Sequence, residues 1–348
     1  MTTKQKTPAK SRKKTIAESG PVIEMLTGPR VATKRDILNI GVIGYGYWGP
    51  NLVRNFAELT DARVHMVADL NPKALETVAR RFPATKVTTD AMALIRDPEI
   101  DAVAIATPVA THFSLAMAAL KAGKHVWLEK PMTETSMQAR ALIEEANRRG
   151  LTLHVDHTFV YTGPVRKMRD LVRAGELGKT LYYDSTRVNL GLFQRDVNVI
   201  ADLAVHDFSI LDYVFGEHPT AVSASGINHY PGTPENLAFI TLFYESGFIA
   251  HVNVSWLAPV KLRSIAIGGT EKMITFDELQ PSEKLKIYDK GVSLTNDPAK
   301  IHEMRVGDRT GAKPTSDGEF GFRMVELIEA ATGSMRGRGE TIHLPRNK

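Results

Sequence analysis

The 348-residue chain has no cysteine. Disulfides, thiolate zinc sites, iron–sulfur clusters and cysteine nucleophiles are excluded together, which leaves oxygen and nitrogen chemistry. Long apolar runs are also missing: none reaches the ~20 residues that a bilayer-spanning helix needs. The amino terminus is basic and polar with no apolar stretch behind it, unlike a secretory leader, so cytoplasm is the default reading. Surplus charge on the body is missing as well. The net charge is +5, but residues 1–35 hold nine Lys/Arg against two Glu, leaving the rest at −2. The folded part therefore has no electrostatic footprint for nucleic acid.

At 43% hydrophobic and 24% charged residues, the composition is that of an ordinary globular protein. The length suits two domains of roughly 100–200 residues each. Residues 1–36 read as a basic tail or arm, with too little to bury in their first half. Val22, Ile23, Met25 and Leu26 could pack against a neighbouring subunit. From Ile37 short apolar strands alternate with helical stretches, the mark of a parallel, doubly wound α/β sheet. Strands are expected at 38–43, 64–68, 86–88, 102–106, 125–128 and 151–155, so residues 37–158 make one nucleotide-binding domain. Residues 159–348 change texture. Strands at 180–188, 221–227, 237–244, 248–256, 263–268 and 273–276 with short Gly-containing turns indicate a large open, mainly antiparallel sheet. Helices over 201–215 and 322–331 complete an α+β domain.

Gly44-Tyr45-Gly46-Tyr47-Trp48-Gly49 follows the first strand and opens a helix at Pro50. In such a G-x-G-x-x-G loop the first glycine makes the turn, the second lets the backbone approach a pyrophosphate, and the third lets helix and strand pack closely. Asp69 ends the second strand 25 residues after Gly44, near the ~20 expected of the acid that binds a ribose. A carboxylate there accepts ribose hydroxyls and repels a 2′-phosphate, which favours NAD over NADP.

Lys130, in Glu129-Lys130-Pro131, follows the carboxyl end of the strand over 125–128, the edge where open α/β sheets bind ligands. Asp202 and His206 are four apart on a helix and share a face. A carboxylate beside the imidazole would hold its tautomer and tune it toward neutrality, as a general base requires.

Taken as a set, the glycine loop, Ala106-Thr107-Pro108 with His112, Glu129-Lys130-Pro131, Gly175-Glu176-Leu177-Gly178 and Asp202-x-x-x-His206-Asp207 resemble the Gfo/Idh/MocA oxidoreductases over roughly residues 37–345. The resemblance implies a Rossmann domain with NAD held by Gly44, Tyr45, Gly46, Tyr47, Trp48, Gly49, Asp69, Thr107, Pro108, His112, Glu129 and Lys130. It implies Lys130, His206 and Asp202 as catalytic residues, and a second domain that binds substrate and forms a homodimer or homotetramer through its open sheet. His206 would take a hydroxyl proton, Lys130 would polarise the oxygen, and Asp202 would orient the substrate or the imidazole.

The segment 187–198 is dense in hydrogen-bonding side chains. Arg187, Asn189, Gln194, Asn198, Asp202 and His206 are the candidate substrate ligands, with Arg187 or Arg195 suited to a phosphate or carboxylate. This stretch and the opening Gly-Tyr-Gly-Tyr-Trp-Gly-Pro-Asn are similar to members acting in sugar-nucleotide metabolism, including 3-dehydrogenases of the UDP-N-acetylglucosamine type. A free sugar or inositol dehydrogenase, an NAD-using glycosidase and a non-catalytic ligand sensor stay open. His154, Asp156 and His157 are residue types that bind metals, but the resembling family works without one, and no metal is expected. Trp256, Tyr244 and Phe248 read as sheet or interface packing. Finally, the family's longer segment, with a helix packing back on the first domain, looks shortened before residue 310. An apolar groove would then lie uncovered unless the arm fills it.

Overall fold

The computed structural model describes residues 37–191, 194, 196–289 and 318–344. The arm, Phe193, Arg195 and the segment before residue 310 that was expected to be shortened lie outside the described residues.

The first half alternates strand and helix. β1 (Leu38–Ile43), α1 (Gly49–Ala57), β2 (Ala62–Ala68), α2 (Pro72–Arg81), β3 (Lys86–Thr88) and α3 (Ala91–Arg96) are followed by β4 (Ala102–Ile105), α4 (His112–Lys121), β5 (His125–Glu129), α5 (Ser136–Arg149) and β6 (Leu153–Asp156). Local chemistry sets the helix ends. Asn71, Asp90 and Thr135 each accept a first-turn N–H as N-caps of α2, α3 and α5, and Gly150 closes α5 in the left-handed conformation. The strands pair in parallel in the order β3-β2-β1-β4-β5-β6. Alternate residues feed the two faces: Val42, Val67 and Ala104 pack with α1 and α2, whereas Ile105, Val126, Leu128 and Val155 pack with α4 and α5. On the α1 side a groove lined by Ile40, Phe56, Ala104, Trp127 and His154 stays open among the described residues.

The second half runs α6 (Gly163–Arg173), β7 (Thr180–Leu190), a π-helical turn (Ile200–Ala204), α7 (Val205–Phe215), β8 (Ala221–Ile227), β9 (Leu237–Phe243), β10 (Ile249–Ser255), β11 (Leu257–Gly269), β12 (Met273–Asp277), β13 (Leu285–Tyr288), α8 (Gly318–Arg336) and β14 (Ile342–His343). The sheet order is β13-β12-β11-β7-β10-β9-β8-β14. It is antiparallel except for β10 beside β7, which run parallel. Its inner face buries Tyr183, Ile240, Val252 and Ile265 against Phe208, Leu211 and Met168 of the helices. The edge strands β13 and β14, four and two residues long, are too short to show an alternation in the sequence.

α8 is 19 residues long, longer than the 322–331 expected, because its glycines do not stop it. A Cβ at Gly321 would lie 2.8 Å from Val155 Cγ2 and 3.2 Å from Met132 Sδ. That glycine lets α8 press against the first sheet, where Phe322 and Val325 join one core while Phe320, Met324 and Leu327 join the other.

Candidate active site

The glycine loop links β1 to α1 as its spacing implies. Gly44 has φ +96°, and a Cβ on it would sit 2.5 Å from the Ala106 carbonyl oxygen. At Gly49 a Cβ would fall 2.2 Å from the Gly44 carbonyl oxygen, whereas nothing lies within 4 Å of one on Gly46. The middle glycine therefore opens onto free space in front of α1. No side chain caps that helix and no acid occupies its first turn, so its free N–H groups and dipole are available to an anion. Asp69 is oriented by backbone: Oδ2 accepts from Tyr45 N at 2.6 Å and Oδ1 from Asn71 N at 2.7 Å. An ionised carboxylate has about four lone-pair sites, so each oxygen keeps one for a ribose hydroxyl. The clearance at Gly46, the uncapped helix and the held carboxylate fit a dinucleotide. Tyr47 and Trp48, exposed at 76% and 50%, stand edge to face beside the loop.

His112 differs from its expected role as a cofactor ligand. It is buried, with Nε2 2.9 Å from the Thr107 carbonyl oxygen and Nδ1 3.0 Å from that of Pro131. Burial lowers its pKa against the pull of those carbonyls. The ring lies between the Thr107-Pro108 turn and the Lys130-Pro131 turn and, neutral, donates its one N–H to one of the two carbonyls. Glu129 lies at the end of β5 opposite Asp156 of β6. Burial, with Asp156 next, pushes the Glu129 carboxyl up to about 7, and burial pushes Asp156 up to about 6.

Lys130 reaches from the carboxyl end of β5 to the π-helical turn. Its Nζ donates to the Asp202 carbonyl oxygen at 2.8 Å and to Asp202 Oδ1 at 3.1 Å. The other carboxylate oxygen, Oδ2, accepts from Trp256 Nε1 at 2.9 Å. Asp202 thus pairs with Lys130 and Trp256, and the expected carboxylate–imidazole pair does not form. Sequence spacing put Asp202 and His206 on one face, but a cation and an indole compete better for the carboxylate. Trp256, read from sequence as packing, is a polar contact of the site; a lone buried indole carries no local signal for that.

His206 sits at the start of α7. Phe159 packs on its ring with centroids 4.9 Å apart, and its buried Nδ1 has no hydrogen-bond partner. Its pKa is driven well below the usual histidine range, first by burial and then by the charges of Lys130, Arg187, His157 and Arg263. The expected tuning by a carboxylate is not what sets this direction: burial comes first and the positive neighbours add to it. The ring is therefore in its basic, neutral form at neutral pH.

Of the candidate substrate ligands, two have inward roles. Arg187 is 2% exposed; its Nε donates to Asp207 at 2.7 Å and its Nη1 to Glu278 at 3.3 Å. Its guanidinium also lies over Phe159, 4.5 Å from the ring centroid, and so braces the ring that packs on His206. Asn198 accepts from Ala201 N at 3.0 Å and donates to Thr332 at 3.1 Å, which caps the π-helical turn. Neither is free to meet a substrate. Asn189 is half-buried with Oδ1 accepting from Arg263 at 3.4 Å, and Gln194 is half-buried. Of the residues weighed for metal, His154 packs between Trp127 and Tyr161, and His157 is fully buried. Elsewhere His65, Asp97 and Glu99 converge, but Lys86 Nζ lies 3.0 Å from His65 Nε2 and already supplies the cation.

Two family models match the chain. A family model described as an oxidoreductase family with an NAD-binding Rossmann fold matches residues 38–157, and one described as the GFO/IDH/MocA C-terminal domain matches residues 165–275. The chain is 28% identical over 284 residues to scyllo-inositol 2-dehydrogenase (NAD(+)) of Bacillus subtilis, covering 77% of this chain and 81% of that one. It is 29% identical over 263 residues to UDP-N-acetylglucosamine 3-dehydrogenase of Acidithiobacillus ferrooxidans, covering 73% and 78%. In fold it is similar to GenD2 from gentamicin A biosynthesis in complex with NAD, with a TM-score of 0.77 at 22% identity over 91% of this chain and 99% of that one.

Proposed function

Because the chain belongs to the Gfo/Idh/MocA family of NAD-dependent dehydrogenases acting on sugars and polyols, we propose that it oxidises a hydroxyl of a sugar nucleotide of the UDP-N-acetylhexosamine type, or reduces the ketone in reverse. The observation that carries this is the pairing of Lys130 with Asp202 past the carboxyl end of β5, with His206 one helical turn on from Asp202 and within reach of the Lys130 charge. Bound NAD supplies the hydride acceptor. Two of the three ammonium donors of Lys130 go to Asp202, and the third meets the substrate oxygen. His206, neutral, takes the hydroxyl proton. Asp202 holds Lys130 in place and is itself held by Trp256. Asn189 and Gln194 are the substrate ligands that remain from the stretch 187–198.

The sugar-nucleotide preference rests on the Gly-Tyr-Gly-Tyr-Trp-Gly-Pro-Asn opening and on the likeness to the UDP-N-acetylglucosamine enzyme. The equal likeness to an inositol 2-dehydrogenase supports inositol or a free sugar as the second reading. A panel of UDP-sugars, free sugars and inositols with NAD decides, read as NADH absorbance. NADH from a UDP-N-acetylhexosamine and not from inositol is the expected result; the reverse pattern overturns it. A changed sugar without net NADH points to transient oxidation by a glycosidase, and no turnover at all points to a ligand sensor.

Assembly belongs to the same proposal. Tyr182, Ile249 and Phe243 form one exposed row across β7, β10 and β9, with Phe239 stacked on His251 beside it. Such a contiguous apolar face marks an interface, and a homodimer or homotetramer through it is expected in sedimentation.

A further inference from the structure

One buried titratable side chain has no task in that scheme. His157 follows β6 and precedes the 3-10 turn Thr158–Tyr161. It is fully buried, and neither of its ring nitrogens has a hydrogen-bond partner. Phe320 of α8 packs on it, with centroids 5.3 Å apart. A neutral imidazole carries one donor and one acceptor, and leaving either unsatisfied inside a protein is destabilising because its hydration is lost without replacement. Native interiors hold few such groups, and those they hold mark internal water or function. His206 Nδ1 is a second such atom. The turn that follows His157 sets Phe159 against His206, and a charge on His157 is felt at His206. A fully buried imidazole with no partner and a second with one buried, unpartnered nitrogen therefore lie on either side of the same turn.

From this juxtaposition we propose that His157 is a positioning and proton-relay partner of His206, the two rings being joined through ordered internal water. The proposal rests on the reading of His206 as the base. In the oxidation, the substrate O–H bond breaks and its proton goes to His206, while the C–H bond breaks and its electron pair leaves as hydride to NAD, so that the carbon becomes a carbonyl. His206 then releases the proton from Nδ1 to the water, which passes one on to His157. The groups facing His206 are Lys130 from the loop after β5, Arg187 from β7 and Arg263 from β11; those facing His157 are His154 from β6, Lys130 and, from α7, Asp212. Burial disfavours the charged form of both rings, so neither stores the proton. His157 takes a proton on one nitrogen as it releases one from the other to a further internal water on the way to bulk solvent, a role that needs two nitrogens and not a bulky apolar side chain.

The test uses full-length wild-type protein with 15N-labelled histidine and NAD added. The expected result is an exchange or Overhauser cross-peak between long-lived bound water and an imidazole N–H of His157 or His206, and a shift of the His206 nitrogens in His157→Phe. No water cross-peak on either ring, or His206 nitrogens unmoved in His157→Phe, overturns the proposal. This reading needs no substrate, so it stands apart from the role of His206 as base, which turnover of His206→Ala decides. With a sugar that gives NADH, His157→Phe lowers kcat by about tenfold or more with KM for NAD unchanged and alters the pH profile. His157→Gln, with one donor and one acceptor, recovers part of that loss. Equal kcat in His157→Phe and wild type overturns the relay. Should His157→Phe fail to fold, the wild-type cross-peak and the pH profile of His157→Gln decide.

Discussion

The two ends of the site are built differently. At the cofactor end the working groups are backbone: free N–H groups at the start of α1, the clearance at Gly46, and a carboxylate held by two backbone donors. Almost all of it comes from residues 44–49. At the proposed chemical end the groups are side chains from three places in the chain, Lys130 after β5, Asp202 and His206 around the π-helical turn, and Trp256 between β10 and β11. A backbone site depends on which positions lack a side chain. A side-chain site depends on which of several competing partners each group takes.

The largest expected effect separates the two ends. Lys130→Ala and His206→Ala lower turnover by about 10²–10⁴-fold, the usual worth of an acid–base group, while the affinity for NAD stays at the wild-type value in a fluorescence titration. A parallel loss of NAD affinity would mean that the ends are not separable. The converse variant is Gly49→Ala. Its Cβ would meet backbone at 2.2 Å, so α1 must move, and overpacking of this kind costs about 1–3 kcal/mol. NAD affinity and melting temperature fall together, while turnover at saturating NAD changes little.

The same contrast explains what could be read in advance. Each glycine of residues 44–49 answers a backbone requirement, and such requirements are written in the residue type. Strand-end position singled out Lys130 and helix spacing singled out Asp202 with His206, and the resemblance set the three together; the bonds of Asp202 were not legible, since they go to Lys130 and Trp256 and not to the imidazole. Arg187 shows a signal that went unused. Tyr183, Ser185 and Arg187 alternate along β7 and all face inward, so counting by two from Tyr183 would have placed Arg187 in the core, paired with Asp207 and not with a substrate. No spacing rule foretells that Asn198 is held by Thr332 or that β10 lies parallel to β7, because both depend on distant chain. The arm and the segment before residue 310 lie outside the described residues, so thermal melting after removal of residues 1–35 remains the measure of whether the arm contributes stability.

Acidity sharpens the comparison, for opposing buried groups gather at the chemical end. Glu129 and Asp156 have carboxyls pushed up to about 7 and about 6. The folded protein therefore binds their protons more tightly than the unfolded chain, and this contribution, present below about pH 4, is lost as pH rises through 6 to 7. His157, pushed down to about 3 chiefly by burial, acts in the opposite sense: stability is lost as pH falls below about 6.5, where the unfolded chain takes up the proton. Glu129→Gln removes an ionisable member of the first pair. It is expected to melt higher than wild type at about pH 8, by the equivalent of about 1–2 kcal/mol, and to show no such gain at about pH 5. An equal shift at both pH values would assign the effect to packing and remove the acid pair from the account.

The smallest effect tests whether the chemical end is a network or three independent residues. Trp256 is almost wholly buried, and its indole N–H is the donor to Asp202 Oδ2. Trp256→Phe removes that donor and leaves a smaller ring. The carboxylate oxygen then lacks a partner, at a cost of about 1–3 kcal/mol if it stays in place. It has an easier course, which is to turn toward the ammonium of Lys130 or toward His206. Either movement misplaces Lys130 relative to the substrate oxygen, so kcat falls by about tenfold while KM for NAD is unchanged, because residues 44–49 are untouched. If Asp202 swings to His206, the imidazole gains the carboxylate partner that its spacing first suggested, and the acid limb of the kcat profile moves to higher pH. An unchanged kcat and profile would show that Asp202 needs only Lys130, and that the site is a pair with a base beside it.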